Sequence, residues 1–108
     1  MKITESKKYK KDYQRLKKNT RKTNAIKNIE KILIILYSAE SLDDLLRRSS
    51  KILTCNFEVL HNDMQGYYSF RLNKNKDGLR LIISVDNDTI YFEGISFRHY
   101  EDFKRRIK

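Results

Sequence analysis

The sequence predicts a single α+β domain in which an N-terminal helical hairpin packs on a small, twisted antiparallel sheet. Three observations predict this fold. Apolar residues recur at helical spacing through residues 7–38, and they alternate with polar residues in strand-like segments after residue 66. The length of 108 residues, of which 39% are hydrophobic, suits one compact core. We therefore treat residues 1–108 as one domain.

Two apolar stripes predict the helical hairpin. Tyr9, Tyr13 and Leu16 are spaced i, i+4 and i+7, which places them on one face of a first helix. A second, wider stripe lies between residues 22 and 37, and the connection through residues 19–24 makes the two helices antiparallel. The second stripe consists of Ile26, Ile29, Leu33 and Leu36, and it is widened by Ile32, Ile34 and Ile35.

Shorter elements flank the hairpin. Residues 3–5 are expected to form a short first strand. Ser41 and Asp44 resemble a capping box, which predicts a short helix over residues 42–48. Residues 49–66 have an irregular pattern and no predicted element.

The last third predicts a three-stranded meander over residues 67–72, 79–85 and 88–97. For the first two strands, one register puts only apolar and aromatic residues on one face, and a slip of one residue would exchange the faces. The pairs on this predicted core face are Leu72 with Leu79, Phe70 with Leu81, and Tyr68 with Ile83. The opposite face then places Arg71 directly across from Arg80.

The third strand is placed by the turn at Asp86-Asn87. Pairing Val85 with Asp88 around this turn puts Arg80 across from Glu93 and Ile82 across from Tyr91. If the strand continues, its later residues should also lie on the face of the two arginines. These are Ile95, Phe97 and His99.

Two arginines side by side have two interpretations. Like charges directly opposite each other destabilise a sheet, whereas an anion between them reverses the effect, and a phosphate suits two guanidinium groups. Alternatively, Glu93 neutralises Arg80 while Arg71 points into water.

The positive charge is concentrated near the N-terminus. Residues 1–31 hold 12 basic and 3 acidic side chains, whereas residues 32–108 hold 12 and 11. This asymmetry favours a polyanionic partner such as nucleic acid, an acidic protein or an anionic membrane. A solvated lysine-rich face that only aids solubility is the alternative.

Several classes of protein are disfavoured by the sequence. No apolar run approaches the ~20 residues of a membrane span, and the N-terminus does not resemble a signal peptide. The single cysteine, Cys55, cannot form an internal disulfide, which fits the cytoplasm. No metal-ligand spacing, Gly-rich phosphate loop or nucleophile elbow is present, so no metal or cofactor is expected.

Residues 58–72 resemble the RelE/ParE superfamily, nearest to its YoeB-like branch. In that branch a Glu-Pro-Leu-Lys-Gly segment leads into a Gly-Tyr-Trp-Ser-x-Arg strand, which Gly66 to Arg71 resembles here. The strand from Leu79 to Ile83 is similar to the family's His-Arg-Leu-Val-Tyr strand, and His99-Tyr100 is similar to its ending. The order and length of the two helices also match, so the resemblance covers nearly the whole chain.

The resemblance implies a RelE-like fold and the toxin of a type II toxin–antitoxin system. It implies an endoribonuclease (mRNA interferase) that cuts mRNA in the ribosomal A site. By position, Glu58 is the general base, Arg80 stabilises the phosphate and His99 is the general acid, while Arg71 and Tyr100 position the substrate. Expected partners are an antitoxin with an acidic segment, mRNA and the ribosome, in a homodimer or a toxin–antitoxin hetero-oligomer, and no membrane.

Three lysines of the basic segment, together with two aromatic residues for stacking bases, are the predicted RNA contacts. They are Lys10, Lys11, Lys18, Tyr67 and Tyr91.

The chain departs from the family at Val59, where the family has proline, and at His61, where it has lysine. His61 therefore stays open as a second candidate for the acid or the base. A ParE-like toxin that binds a protein target such as gyrase, and a non-enzymatic RNA- or ribosome-binding module, are the alternative functions.

Overall fold

The computed structural model describes residues 1–18, 23–45, 47, 57–72 and 79–97. Within these ranges, two long helices, a helical turn at residues 42–45 and a short 3₁₀ helix accompany a five-stranded sheet, as the predicted α+β class requires. In chain order the elements are β1 (Lys2–Glu5), α1 (Lys7–Lys17), α2 (Thr23–Ser38), β2 (Phe57–Val59), the 3₁₀ helix (Asn62–Met64), β3 (Tyr67–Arg71), β4 (Arg80–Asp86) and β5 (Thr89–Ser96).

The sheet has the strand order β1-β5-β4-β3-β2. The pairs β2/β3, β3/β4 and β4/β5 are antiparallel, so the meander predicted for the last three strands is confirmed. β1 is parallel to β5, which makes the whole sheet mixed. β2 lies within residues 49–66, for which the irregular sequence pattern predicts no element, so that prediction was wrong. Its three residues are too few to show an alternating pattern, and pairing with β3 defines the strand.

The helices bury the predicted stripes with one exception. Ser6 caps α1 by accepting a hydrogen bond from the Tyr9 backbone N–H at 3.0 Å. Ile29 and Leu36 of α2 are fully buried, and Ile26 and Leu33 are partly buried. The other members of the wider stripe are Ile32 and Ile35, which are buried, and Ile34, which is 70% exposed.

The prediction for Ile34 was therefore wrong. Successive α-helical residues are rotated by about 100°, so Ile34 lies about 200° around the helix from Ile32. Ile34 is adjacent in sequence to the buried residues of α2, but its side chain lies on the opposite side of the helix.

The register of β3 and β4 is the predicted one. Phe70 pairs with Leu81, Tyr68 with Ile83 and Arg71 with Arg80. The Leu72 N–H also donates to the Leu79 carbonyl at 3.0 Å, next to the end of both strands. The even-numbered residues of β3 and their partners form one core with the helices, and the two arginines lie on the opposite face.

The register of β4 and β5 differs from the predicted one by two residues at the turn. Asp86 pairs with Thr89, and Val85 pairs with Ile90 rather than with Asp88. Asn87 has φ of 55°, a left-handed conformation that asparagine adopts more readily than most residues. A shift of two keeps the same faces, because the side-chain period of a strand is two. Alternation therefore could not distinguish the two registers.

A bulge then changes the faces in the second half of β5. Ile83 pairs with Phe92, but Ile82 pairs with Gly94, so Glu93 is an extra residue. Ile95 consequently pairs with Leu81 and joins the helix-side core. The prediction that Ile95 lies on the face of the arginines was wrong, and Phe97 also packs against the core.

The Ser41 cap is present in a modified form. The Asp44 N–H donates to Ser41 Oγ at 3.1 Å, and the Asp44 carboxylate accepts from the Glu40 N–H at 3.1 Å, one residue before the position a capping box uses. Residues 42–45 and 47 are helical. Among the described residues, no helix combines the length and the apolar character needed to cross a membrane.

Candidate anion-binding and catalytic site

One row of polar side chains crosses the sheet face that points away from the helices. Arg71 of β3 pairs with Arg80 of β4, and Arg80 pairs with Ser96 of β5. Arg80 is 3% exposed and Ser96 is fully buried, whereas Arg71 is half-buried. The predicted pairing of Arg80 with Glu93 was wrong. The register at the turn between β4 and β5 differs from the predicted one, and together with the bulge it brings Ser96 opposite Arg80.

The row contains buried hydrogen-bonding atoms that the described part of the protein leaves unsatisfied. Nε of Arg71 and Oγ of Ser96 are buried and have no hydrogen-bond partner there. Nε and Nη1 of Arg80 are also buried without a hydrogen bond, although Arg80 itself does have an interaction partner. A buried unsatisfied polar group typically costs about 1–3 kcal/mol. Stability alone therefore does not account for this row.

Glu58 lies beside this row because β2 pairs with β3. Its direct partner is Ser69, which is two residues from Arg71 on the same face. Diagonal neighbours in an antiparallel sheet are about 7–8 Å apart, a distance that glutamate and arginine side chains can bridge. The Glu58 side chain is exposed at the edge of the sheet. The structure thus brings a carboxylate and two guanidinium groups to one face.

A small apolar cluster fixes the edge strand that carries Glu58. Leu60 and Met64 pack on Ile82, which is fully buried on the arginine face, and Tyr67 covers them in part. The Leu60 N–H also donates to the Tyr67 carbonyl at 3.0 Å. Gly66 makes the return to β3 with φ of 94°, a conformation that L residues rarely adopt.

The two predicted stacking tyrosines share a second row of the same face. Tyr67 pairs with Ser84, and Ser84 pairs with Tyr91. The predicted pairing of Tyr91 with Ile82 was therefore wrong. Both tyrosines are partly buried. Two strand spacings separate them by about 10 Å. Their proposed contact with bases stays a prediction.

The predicted RNA-binding lysines lie elsewhere. Lys10 and Lys11 are exposed on α1, and Lys18 is exposed directly after it. Since Tyr9 and Leu16 of α1 join the helix-side core, these lysines lie on the opposite side of the sheet from the arginines. Three lysines and one carboxylate line an open cavity on α1, namely Lys7, Lys8, Lys11 and Asp12.

His99 and Tyr100 lie outside the described residues, so their predicted roles stay predictions. Within the described ranges, no cluster of three or more His, Cys, Asp or Glu side chains forms a potential metal site. Sequence reasoning missed Ser96, since its position opposite Arg80 depends on the bulge. It also missed Arg15, whose guanidinium carbon lies 4.2 Å from the centre of the Phe97 ring.

Comparisons with known proteins agree with this geometry. The YoeB dimer from Staphylococcus aureus superposes with a TM-score of 0.58 at 25% sequence identity, covering 90% of this chain and 95% of that one. The heterotetrameric YoeB–YefM toxin–antitoxin complex from the same organism gives the same values. A YoeB/ParE toxin from Agrobacterium tumefaciens gives a TM-score of 0.60 at 17% identity, covering 90% and 98% of the two chains.

No protein-family model matches the sequence, and no curated protein matches it. The strand order, the paired arginines and these superpositions over nine-tenths of the chain agree with the resemblance found in residues 58–72. The chain therefore resembles the YoeB toxins of the RelE/ParE superfamily in fold, and it is 25% identical in sequence to the YoeB of Staphylococcus aureus.

Proposed function

We propose that this chain is the toxin of a type II toxin–antitoxin system and that it cuts mRNA on the ribosome in the cytoplasm. The observation that carries the proposal is the cross-strand pair of Arg71 and Arg80 on the sheet face opposite the helices, with Glu58 diagonal to Arg71. Two adjacent guanidinium groups suit one phosphodiester, and the nearby carboxylate suits proton abstraction.

The proposed reaction uses the nucleophile that RNA itself carries. Glu58 removes the proton of a 2′-hydroxyl, and the resulting oxygen attacks the adjacent phosphorus. The bond from phosphorus to the 5′-oxygen breaks, and His99 protonates that oxygen. Arg80 and Arg71 stabilise the charge that develops on the phosphoryl oxygens. The products carry a 2′,3′-cyclic phosphate and a 5′-hydroxyl, and Tyr100 helps to position the substrate.

The proposed partners follow from the relatives and from the charge. The solved relatives include a YoeB dimer and a complex of YoeB with YefM. We therefore propose an antitoxin with an acidic segment that covers or distorts the arginine face, and assembly into a dimer or a toxin–antitoxin oligomer. Lys10, Lys11 and Lys18 are proposed to contact RNA on the ribosome.

Single-turnover cleavage of mRNA on programmed ribosomes tests the proposal. Arg80→Ala should cut about 10²–10³-fold more slowly, as expected for the loss of one preorganised donor to an oxyanion. Glu58→Ala and His99→Ala should each cut about 10²-fold more slowly or worse, because each removes one proton transfer. Lys31→Ala is the control, since it removes an exposed positive charge from α2 without altering the arginine face.

The product ends decide the chemistry. A 5′-phosphate product, or cleavage at the parent rate by both Arg80→Ala and His99→Ala, would show that the proposed site is wrong. If the parent arrests growth without cutting RNA, the chain is a ParE-like toxin with a protein target such as gyrase. If it binds RNA or ribosomes without cutting RNA and without arresting growth, it is a binding module.

A further inference from the structure

The bulge in β5 determines which side chain lies against Arg80. Glu93 is the extra residue, and it precedes the part of β5 that pairs with the start of β4. Without it, Ile95 would lie opposite Arg80, and an apolar side chain cannot accept a hydrogen bond from a guanidinium group. With it, Ser96 lies there. The bulge therefore brings a hydroxyl group to a buried arginine.

Contacts from the first helix hold the bulge in place. Ser6, the N-cap of α1, donates from its Oγ to the Glu93 carbonyl at 3.1 Å. Asp12 of α1 is buried, and its Oδ2 accepts a hydrogen bond from the Ile95 N–H at 2.9 Å. These two bonds lie on either side of the change in register. They fix the residue that follows, Ser96, at one defined position in the sheet.

The Ser96 hydroxyl does not contribute a hydrogen bond to the fold within the described part of the chain. The residue is fully buried, and its Oγ has no hydrogen-bond partner there. Ser69 of β3, a fully buried serine on the same face, does have an interaction partner. A buried hydroxyl without a partner destabilises the folded state relative to alanine. Stability therefore does not explain a serine at position 96.

We infer that Ser96 is a positioning residue for Arg80, and that its hydroxyl accepts a hydrogen bond from the guanidinium group when this group holds a phosphodiester. The inference deepens the proposed function, on which the identity of the phosphodiester rests. A bidentate phosphate occupies only some of the N–H donors of an arginine, so the others need acceptors. Because Arg80 is 3% exposed, water cannot easily supply them.

The cross-strand geometry allows this hydrogen bond. Residues directly opposite each other in an antiparallel pair have Cβ atoms about 4.5–5.5 Å apart, a distance that an arginine side chain can span. Arg80 and Ser96 are such a pair, and both are buried in the same row. A hydroxyl group on the neighbouring strand can thus fix the orientation of the guanidinium group without contacting the substrate itself.

Ser96→Ala separates this role from a structural one. The variant should be at least as stable in urea as the parent, because it removes a buried hydroxyl without a partner. Its single-turnover rate at saturating ribosome concentration should fall roughly tenfold, as expected for the loss of a hydrogen bond to a charged group. A variant that is less stable but cuts at the parent rate would overturn the inference.

Two further variants control for position and for shape. Ser84→Ala alters a partly buried serine of β4 on the same face, away from the row of the arginines, and should cut at the parent rate. Ser96→Cys fills the space of the hydroxyl with a group that forms only weak hydrogen bonds, so it should be slowed like Ser96→Ala. A Ser96→Cys variant at the parent rate would show that shape matters rather than hydrogen bonding, and would overturn the inference.

A double-mutant cycle tests whether Ser96 acts through Arg80. In an Arg80→Met background, Ser96→Ala should cause no further loss of rate, because the group that the hydroxyl orients is absent. The same roughly tenfold loss in that background would overturn the inference.

A binding measurement separates the inference from the proposed function. A short oligothymidylate carries phosphodiesters but no 2′-hydroxyl, so the proposed reaction cannot cut it. Its titration should shift the NMR signal of the Arg80 Nε–H, assigned with Arg80→Met, and Ser96→Ala should weaken this binding roughly tenfold whereas Ser84→Ala should not. If the parent cuts no RNA, the proposed function fails, but weaker binding in Ser96→Ala would still support the inference. Equal binding in the parent and Ser96→Ala, or an Arg80 signal that does not shift in the parent, would overturn it.

Discussion

Arg71 of β3 lies directly opposite Arg80 of β4, on the sheet face that the helices do not cover. Like charges in this position destabilise a sheet, and Nε of Arg71 is buried without a hydrogen bond within the described residues. The pair is therefore unfavourable for folding and favourable for holding an anion. Such a conflict between stability and activity is common at functional sites.

The first prediction is that Arg71→Met will lose activity without losing stability. Removing one of two adjacent charges should leave the free energy of unfolding unchanged or raise it by about 0.5 kcal/mol. Cleavage should slow by about 10²-fold, because one of two phosphate donors is lost. Urea denaturation and single-turnover cleavage measure the two effects. Arg47→Met, at an exposed helical position, is the control. A large loss of stability in Arg71→Met alone would contradict this interpretation.

The second prediction concerns the lysines of α1. Lys10→Ala and Lys11→Ala should each reduce the slope of log affinity against log salt concentration by about 0.7 for single-stranded RNA, if each lysine neutralises one phosphate. The cleavage rate at saturation should not change, since both lysines lie on the opposite side of the sheet from the arginines. Binding to a short RNA across a KCl series measures the slope. Lys27→Ala, at an exposed position of α2, is the control. If it reduces the slope as much as Lys10→Ala and Lys11→Ala do, the effect comes from overall charge and not from contacts made by the lysines of α1.

The third prediction is that Asp12 stabilises the bulged strand. Asp12→Ala should lower the free energy of unfolding by about 1–3 kcal/mol, because it leaves the buried Ile95 N–H without an acceptor. Asp12→Asn should cost less, since its amide oxygen can accept the same hydrogen bond. Urea denaturation compares both with Asp43→Ala, which alters an exposed carboxylate. Equal losses in the alanine and asparagine variants of Asp12 would rule out the hydrogen bond as the cause.

The fourth prediction is a loss of stability in alkali that depends on Tyr9. Burial raises the pKa of Tyr9 above its ordinary value of 10.0, and Glu5 and Tyr13 add to the shift. Tyr9 packs edge-on against Phe92, with ring centres 5.0 Å apart. Its neutral phenol is kept in the folded state, whereas the unfolded chain loses the proton near pH 10.

The sign follows from this raised pKa. The contribution of Tyr9 to stability is fully present below pH 10 and decreases as the pH rises above that value. The urea midpoint should therefore fall between about pH 10 and 12. Tyr9→Phe should flatten this fall, because it removes the titrating group while keeping the ring. If the fall in the urea midpoint is unchanged in Tyr9→Phe but smaller in Tyr13→Phe, the effect belongs to Tyr13 and the prediction is wrong.

The sequence by itself determined which faces of the elements are buried wherever the apolar residues follow a local period. Alternation in β3 and β4 puts Phe70, Leu81 and Ile83 on one buried face, and pairing Leu72 with Leu79 across the intervening loop then places Arg71 opposite Arg80. The helical spacing of Tyr9 and Leu16 likewise identified the buried face of α1. In these segments the apolar residues recur with the period of a single helix or strand, so the sequence alone identifies the face that the hydrophobic effect buries.

Only the tertiary structure decided the arrangement of β5 and the sheet edges. Two registers of β5 that differ by two residues satisfy the same alternation, and the choice depends on contacts that are distant in sequence. Asp12 bonds the backbone N–H of Ile95, 83 residues away, after the bulge at Glu93. That bulge places Ser96 rather than Glu93 opposite Arg80. The physical reason is that a bulge breaks the two-residue period, and a side chain from another element satisfies the backbone group beyond it.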